Sequence, residues 1–210
     1  MIQIKICGLS TRETVDAAVD GGASHLGFVF FAPSPRNLEP NQALALGSGL
    51  PGHVTRVGVF VDPDDALLDR VAAGLDAIQL HGGETVDRIA EIRARYAKPV
   101  WRAAGVATRD DIGRAITAAG VADRLLFDAK ASSGAPLPGG NGLRFDWRLL
   151  GGVDPGRAWA LSGGLDAATV GDAIRAANPP LVDVSSGVED ELGVKSVAKI
   201  KAFIAAARAV

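Results

Sequence analysis

An α/β fold, and within that class a (β/α)8 or TIM barrel built as one domain over residues 1–210, follows from three features of the sequence. Short apolar runs alternate with alanine-rich amphipathic stretches without interruption, the order of a parallel sheet covered by helices. There are eight such units, the number that closes a barrel, in a length at the compact end of that fold. No GxGxxG turn follows the first strand, which counts against an open doubly wound sheet, the other arrangement of alternating units.

The first strand covers 2–6, where Ile2, Ile4 and Ile6 alternate with Gln3 and Lys5. Cys7 stands at its carboxyl end and Gly8 breaks it. Ser10, with Glu13 three residues on, predicts a helix start, giving a helix over 11–20 closed by Gly21-Gly22. The second strand covers 25–30. A proline-stiffened loop holding Ser34-Pro35-Arg36 follows, then a helix from Pro40 to about Gly49. The third strand covers 55–61, and Asp62-Pro63 opens the next helix. Strand four, 76–80, ends in His81-Gly82-Gly83 before a helix over 84–96. Strand five covers 99–103, and Thr108-Arg109-Asp110-Asp111 caps a helix that stops at Gly120. Strand six, 124–127, is followed at once by Asp128 and then by the longest irregular stretch, 129–144; such a loop inside a compact domain is more often functional. A short helix is expected near 145–150. Strand seven covers 158–161 and closes in Ser162-Gly163-Gly164, with Asp166 opening a helix to about Asn178. Strand eight covers 181–184 and closes in Ser185-Ser186-Gly187. The last helix is expected over 195–207, its lysines and Arg208 facing outward.

Composition narrows the function classes. Hydrophobic residues are 48% of the chain and charged residues 22%, a soluble globular balance. A formal net charge of -2 gives no reason to expect nucleic acid or an anionic membrane as partner. One cysteine allows neither an internal disulfide nor a multi-cysteine metal site, and the three histidines, His25, His53 and His81, are not spaced as a zinc site. With no signal-peptide pattern and no long apolar span, a cytoplasmic enzyme or binding protein is expected.

In such a barrel the loops after the strands build the active site. The strand ends then form a ring: Cys7, Arg36, Asp62, His81, Arg102, Asp128, Ser162 and Ser185. Cys7 reads equally as a small buried hydrophobe. Asp128 ends an apolar run, where desolvation raises a carboxyl pKa and suits it to act as an acid near neutral pH; its plainer role is a helix cap or a partner of Lys130. The glycines and serines after strands seven and eight let backbone N–H groups approach an anion, as the usual phosphate site of these barrels does, and Gly139-Gly140-Asn141-Gly142 can close over the same group. They also serve as ordinary turns. Arg36 is placed to hold a carboxylate in a bidentate way, or is a solvated surface arginine. His81 offers a base or an orienting donor, while His25 and His53 precede strands and read as structural.

Several motifs taken together carry a resemblance. Lys5-Ile6-Cys7-Gly8-Leu9, Gly27-Phe28-Val29-Phe30, Ser34-Pro35-Arg36, Gln79-Leu80-His81-Gly82, Phe127-Asp128-Ala129-Lys130, Phe145-Asp146-Trp147, Ser162-Gly163-Gly164-Leu165 and the run from Asp183 to Glu189 resemble the phosphoribosylanthranilate isomerases of tryptophan biosynthesis, over essentially the whole chain. The resemblance implies a (β/α)8 barrel without a cofactor or metal, monomeric or homodimeric, acting on a small phosphosugar. It implies an Amadori rearrangement of N-(5-phosphoribosyl)anthranilate, an aldose-ketose isomerisation. It implies Cys7 as general base, Asp128 as general acid and Arg36 at the substrate carboxylate, with Gly140, Asn141, Gly142, Gly163, Gly164, Ser185 and Ser186 as the phosphate cradle. One departure is visible. Where the family usually reads Gly-Gly-Thr-Gly-Lys, this chain reads Gly139-Gly140-Asn141-Gly142-Leu143-Arg144, so the lysine charge is missing unless Arg144 supplies it. Two other readings compete: the related isomerase of histidine biosynthesis, which uses two aspartates where this chain has Cys7 and Asp128, and a non-catalytic phosphosugar-binding barrel.

Strand parity adds a last expectation. Gln3, Lys5 and Cys7 share one face of strand one, and Asp183 and Ser185 share one face of strand eight. Barrel closure puts these strands side by side. Lys5 and Asp183 are then expected to form an inward ion pair beneath Cys7, since a lone buried ammonium is costly.

Overall fold

In the computed structural model, which describes residues 2–132, 134 and 137–210, the alternation of the first strand is realised as a closed barrel. β1 (Gln3–Cys7) pairs in parallel with β2 (His25–Phe30) on one side and with β8 (Leu181–Val184) on the other. Between them run β3 (Thr55–Phe60), β4 (Ala77–Leu80), β5 (Val100–Val106), β6 (Arg124–Ala129) and β7 (Ala158–Leu161), each beside its neighbour in sequence. Closure rules out the open doubly wound sheet.

The helices follow their capping chemistry. α1 (Arg12–Gly21) starts after Thr11, whose hydroxyl accepts from the Thr14 N–H, so the cap lies one residue beyond the expected Ser10. α2 (Pro40–Gly47), α3 (Asp65–Val71) and α4 (Val86–Tyr96) follow β2, β3 and β4, α3 starting at the Asp64 cap rather than at Asp62-Pro63. α5 (Arg109–Ala118) carries the expected cap, which closes as a reciprocal box, Thr108 accepting from the Asp111 N–H and Asp111 from that of Thr108. Among the described residues, the connection after β6 holds one 3-10 turn, Trp147–Leu150. α6 (Val170–Ala177) begins four residues after Asp166, because the Asp166 carboxylate accepts from the N–H groups of Ala168 and Thr169 and holds a turn first.

The largest departure lies after β8. Residues expected to lead straight into the last helix fold into a small antiparallel hairpin, β9 (Glu189–Glu191) with β10 (Val194–Lys195), and α7 (Val197–Arg208) starts only then. Lys195, expected on the outer face of that helix, is buried on β10.

Apolar residues form two layers. Ile4, Ile6, Phe28, Leu80 and Phe127 lie between sheet and helices. Val57, Ala77, Trp101, Leu126, Ala160 and Leu181 fill the lower barrel interior. Above them the inward positions turn polar: Lys5, Asp183 and Gln79, then Cys7 and Asp128 at the mouth.

Candidate active site

A cavity of about 820 Å³, counting its open mouth, occupies the carboxyl end of the barrel. Of the expected ring, Cys7, Arg36, His81, Asp128, Ser162 and Ser185 line it. Asp62 and Arg102 do not. Asp62 turns away to accept from the Gly83 N–H at 2.9 Å, and Arg102 sits in register with the outward-facing Leu80 and Leu125 and donates to the Glu84 carbonyl.

Cys7 ends β1 and is 8% exposed. Gly27, its register partner on β2, makes room for it: a Cβ there would lie 2.9 Å from the sulfur. Burial pushes the Cys7 thiol above its ordinary pKa; the charges of Lys5 and Lys195 oppose this and that of Asp183 adds to it. Lys5 and Asp183 face each other in register, with Nζ 3.0 Å from Oδ1, as strand parity predicts. Burial works against the Lys5 charge, but Asp183 and Cys7 together outweigh it and hold the ammonium protonated beyond its usual range.

Asp128, on β6, is 5% exposed. Its Oδ1 accepts from the Ala129 N–H at 2.8 Å, and His81 Nε2 stands 3.5 Å from Oδ2. Lys130, the plainer partner, instead binds Asp111 at 3.1 Å. Burial carries the Asp128 carboxyl up to about 7; the Ala129 N–H opposes the shift and the Asp183 charge adds to it. His81 is pulled down to about 4 by burial and by Lys5, so its ring is neutral at neutral pH.

Arg36 is buried, not solvated. Its Nε donates to Glu189 Oε1 at 2.7 Å and its Nη2 to Oε2 at 2.9 Å and to the Gly140 carbonyl at 3.2 Å. One edge of the guanidinium is thus already filled. Among the described residues Nη1 donates to none, and it stands beside Gly140 at the cavity. Glu189 also accepts from Lys195 Nζ at 2.5 Å and from the Gly193 N–H at 3.2 Å. Burial would raise the Glu189 carboxyl, yet Arg36 and Lys195 hold it below its usual value. Lys195 reaches on to the carbonyl and hydroxyl of Ser185 at 3.0 and 3.2 Å, tying the hairpin to the loop after β8.

The expected cradle residues Gly140, Asn141, Gly142, Gly163, Gly164, Ser185 and Ser186 all line the cavity. Gly163 and Gly164 have φ of 92° and 63°, and among the described residues their N–H groups donate to no acceptor. A Cβ on Gly164 would lie 2.6 Å from the Leu143 carbonyl, so this glycine lets the loop after β6 settle against the loop after β7. Arg144 does not replace the missing lysine: it donates to the Gly164 carbonyl at 2.8 Å and to Asp166 at 2.6 Å. Asn141 closes its own loop, donating to the Leu137 carbonyl at 2.9 Å.

Two site groups carry no local sequence signal of a role. Glu189 stands in a quoted motif, but its hub position depends on a partner 153 residues away. Gln79, 1% exposed on the cavity floor, has a side-chain oxygen without a partner among the described residues; strand parity alone would place it inward. Among the described residues, no three His, Cys, Asp or Glu side chains gather as metal ligands do.

One cavity at the barrel mouth brings together a buried thiol, a carboxyl carried up to about 7 by burial and a ring of glycines, the groups that acid–base chemistry on a small molecule needs. The family model of N-(5'phosphoribosyl)anthranilate (PRA) isomerase matches residues 4–206. An N-(5'-phosphoribosyl)anthranilate isomerase of Mesorhizobium japonicum is 50% identical, over 99% of this chain and 96% of its own length. A crystal structure of phosphoribosyl anthranilate isomerase in complex with reduced 1-(o-carboxyphenylamino)-1-deoxyribulose 5-phosphate superimposes with a TM-score of 0.84 at 35% identity, covering 100% of both chains. A structure of monomers made from the dimeric enzyme of Thermotoga maritima gives 0.83 at 36% identity, again over 100% of both. The chain belongs to the N-(5'-phosphoribosyl)anthranilate isomerase family.

Proposed function

We propose that the chain converts N-(5-phosphoribosyl)anthranilate to 1-(2-carboxyphenylamino)-1-deoxyribulose 5-phosphate, the aldose-ketose isomerisation of tryptophan biosynthesis, with Cys7 as base and Asp128 as acid. One observation carries the assignment of roles: a buried carboxyl that keeps its proton to about pH 7 shares a cavity with the chain's only thiol. Asp128 gives its proton to the furanose ring oxygen, the C1–O bond opens, and the amine nitrogen supplies the electrons for an iminium. That group acidifies the C2 proton. The Cys7 thiolate removes it, the C–H electrons form the enolamine double bond, and the enol loses its O–H proton as C1 gains one, leaving the ketone.

The rest of the site divides between the two ends of the substrate. Arg36 Nη1, which donates to no group among the described residues, meets the anthranilate carboxylate through one nitrogen, because Glu189 fills the bidentate edge. The cradle around Gly163, Gly164, Ser185 and Ser186 holds the phosphate through backbone N–H groups. His81 orients Asp128. Compartment and assembly belong to the same proposal: a cytoplasmic enzyme that needs no cofactor, monomeric or homodimeric.

The working form has one proton shared between thiol and carboxyl, so the macroscopic ionisations of the pair bound the activity. Loss of anthranilate fluorescence on mixing protein and substrate, followed across pH, tests this. The rate should climb with a midpoint near pH 7, reach a plateau above it and fall again at the higher, thiol-side ionisation. No turnover at any pH would leave a phosphosugar-binding barrel instead.

A further inference from the structure

Neither binding nor proton transfer accounts for the charged Lys5–Asp183 pair beneath the mouth. Lys5 is wholly buried, two residues below Cys7 on the same inward row of β1. Asp183 lies directly across on β8, two residues below Ser185, and lines the cavity with Cys7 and Asp128. Stability does not explain the pair, because a buried ion pair commonly does no better than apolar side chains of the same volume. The layer beneath shows the alternative, where apolar Val57, Ala77 and Leu126 fill the same interior.

Resting on the reading of Cys7 as base and Asp128 as acid, we propose that Lys5 and Asp183 are positioning residues forming an oriented dipole that biases the two groups in opposite directions, the ammonium toward the thiolate and the carboxylate toward the protonated acid. The geometry has the necessary polarity. The ammonium spends one N–H on Asp183 and lies on the same inward row of β1 as Cys7, two residues below it. The balance of charges differs at the two groups. At Cys7 the influence of Lys5 exceeds that of Asp183, and at Asp128 the influence of Asp183 exceeds that of Lys5. Other charges face the same space from neighbouring elements: Lys195 on β10, Arg36 after β2, Glu189 on β9 and neutral His81 after β4. Lys5, Arg36 and Lys195 against Asp183 and Glu189 leave one unbalanced positive charge, which a Cys7 thiolate neutralises.

Because Cys7 is the only cysteine, the ultraviolet absorbance of its thiolate titrates that group alone in the full-length protein. Lys5→Met leaves Asp183 uncompensated and should raise the midpoint by about one pH unit, about tenfold less thiolate at neutral pH. Asp183→Asn should lower it. The double variant Lys5→Met/Asp183→Leu, which keeps the interior filled, should fall between wild type and Lys5→Met, with kcat reduced by less than about tenfold and KM little changed. If Lys5→Met does not fold, the double variant carries the test alone. Equal midpoints in the wild type and every folded variant would overturn the proposal. Retained turnover in Cys7→Ala would instead remove the reading on which it rests, leaving the order of midpoints intact.

Discussion

Aspartate meets opposite treatment at the two ends of the barrel. Asp76, just before β4, accepts from the backbone N–H, Nε and Nη2 of Arg56 at 2.8, 2.8 and 2.7 Å, and these bonds hold its carboxyl below the ordinary value. Asp123, just before β6, accepts from the Val100 N–H at 2.9 Å and from Arg93; burial pushes it up, but these donors win and it too ends low. Asp128 sits at the far end of β6 with one backbone donor and no arginine, and its carboxyl rises to about 7. Asp123 and Asp128 share residue type and lie at opposite ends of β6, one just before it and one within it; the supply of N–H donors against burial differs. The lower end uses aspartates to stitch adjacent strands, and the upper end leaves one under-solvated so that it can carry a proton.

The largest effect that could break this contrast is at the mouth. Cys7→Ala should lower kcat by about 10²–10⁴-fold, the range for a general base, with substrate affinity little changed. Near-normal kcat, measured by fluorescence, would move the role to His81. Asp128→Asn should be equally damaging to turnover yet raise stability. As pH rises from about 4 to 7 the unfolded chain ionises this carboxyl while the folded protein does not, so the native state loses stability over that window. The asparagine variant lacks the loss and should gain up to about 4 kcal/mol at pH 8, read by urea unfolding. A variant less stable than wild type at pH 8 would mean that the carboxyl is better solvated than its surroundings indicate.

Arg36→Ala should weaken substrate binding by roughly 2–5 kcal/mol, since it also strands Glu189 without its main partner. Unchanged KM and kcat would dismiss the carboxylate contact. At the other end Asp76→Asn should cost about 1 kcal/mol or less, because the Arg56 pair is partly exposed and screened, and should leave kcat alone. Its depressed carboxyl contributes above the unfolded pKa and loses that contribution as the pH falls, so wild type and variant should converge in acid. A drop in kcat for this variant would erase the distinction between the ends.

What could be read beforehand tracks how local each signal is. Parity within β1 and β8 placed Lys5 against Asp183, because alternation and closure are enough to bring them together. The Thr108–Asp111 cap lies within four residues and was legible too. The β9–β10 hairpin was not, since Glu189-Asp190-Glu191-Leu192-Gly193-Val194-Lys195 shows no apolar alternation and is held by one carboxylate gathering Arg36, Lys195 and the Gly193 N–H. Lys195 therefore looked like an ordinary helix-face lysine. Asp62 and Arg102 looked like ring members because strand ends were read as a set, whereas parity turns Arg102 outward and a local turn engages Asp62.

The pairing of Lys5 with Asp183 spans 178 positions and that of Arg36 with Glu189 spans 153. Closing a loop of the former length costs on the order of 5 kcal/mol of chain entropy before any contact returns it. During synthesis the thiol, the acid and the arginine are all made before the strand and hairpin that fix their surroundings. Strands one to seven can begin to form sheet, but the mouth has no ion pair, no hub for Arg36 and no completed cradle until β8 and β9 dock. Catalytic competence is then a late event in folding, and a chain interrupted shortly before residue 181 would be a partial barrel with an unassembled site.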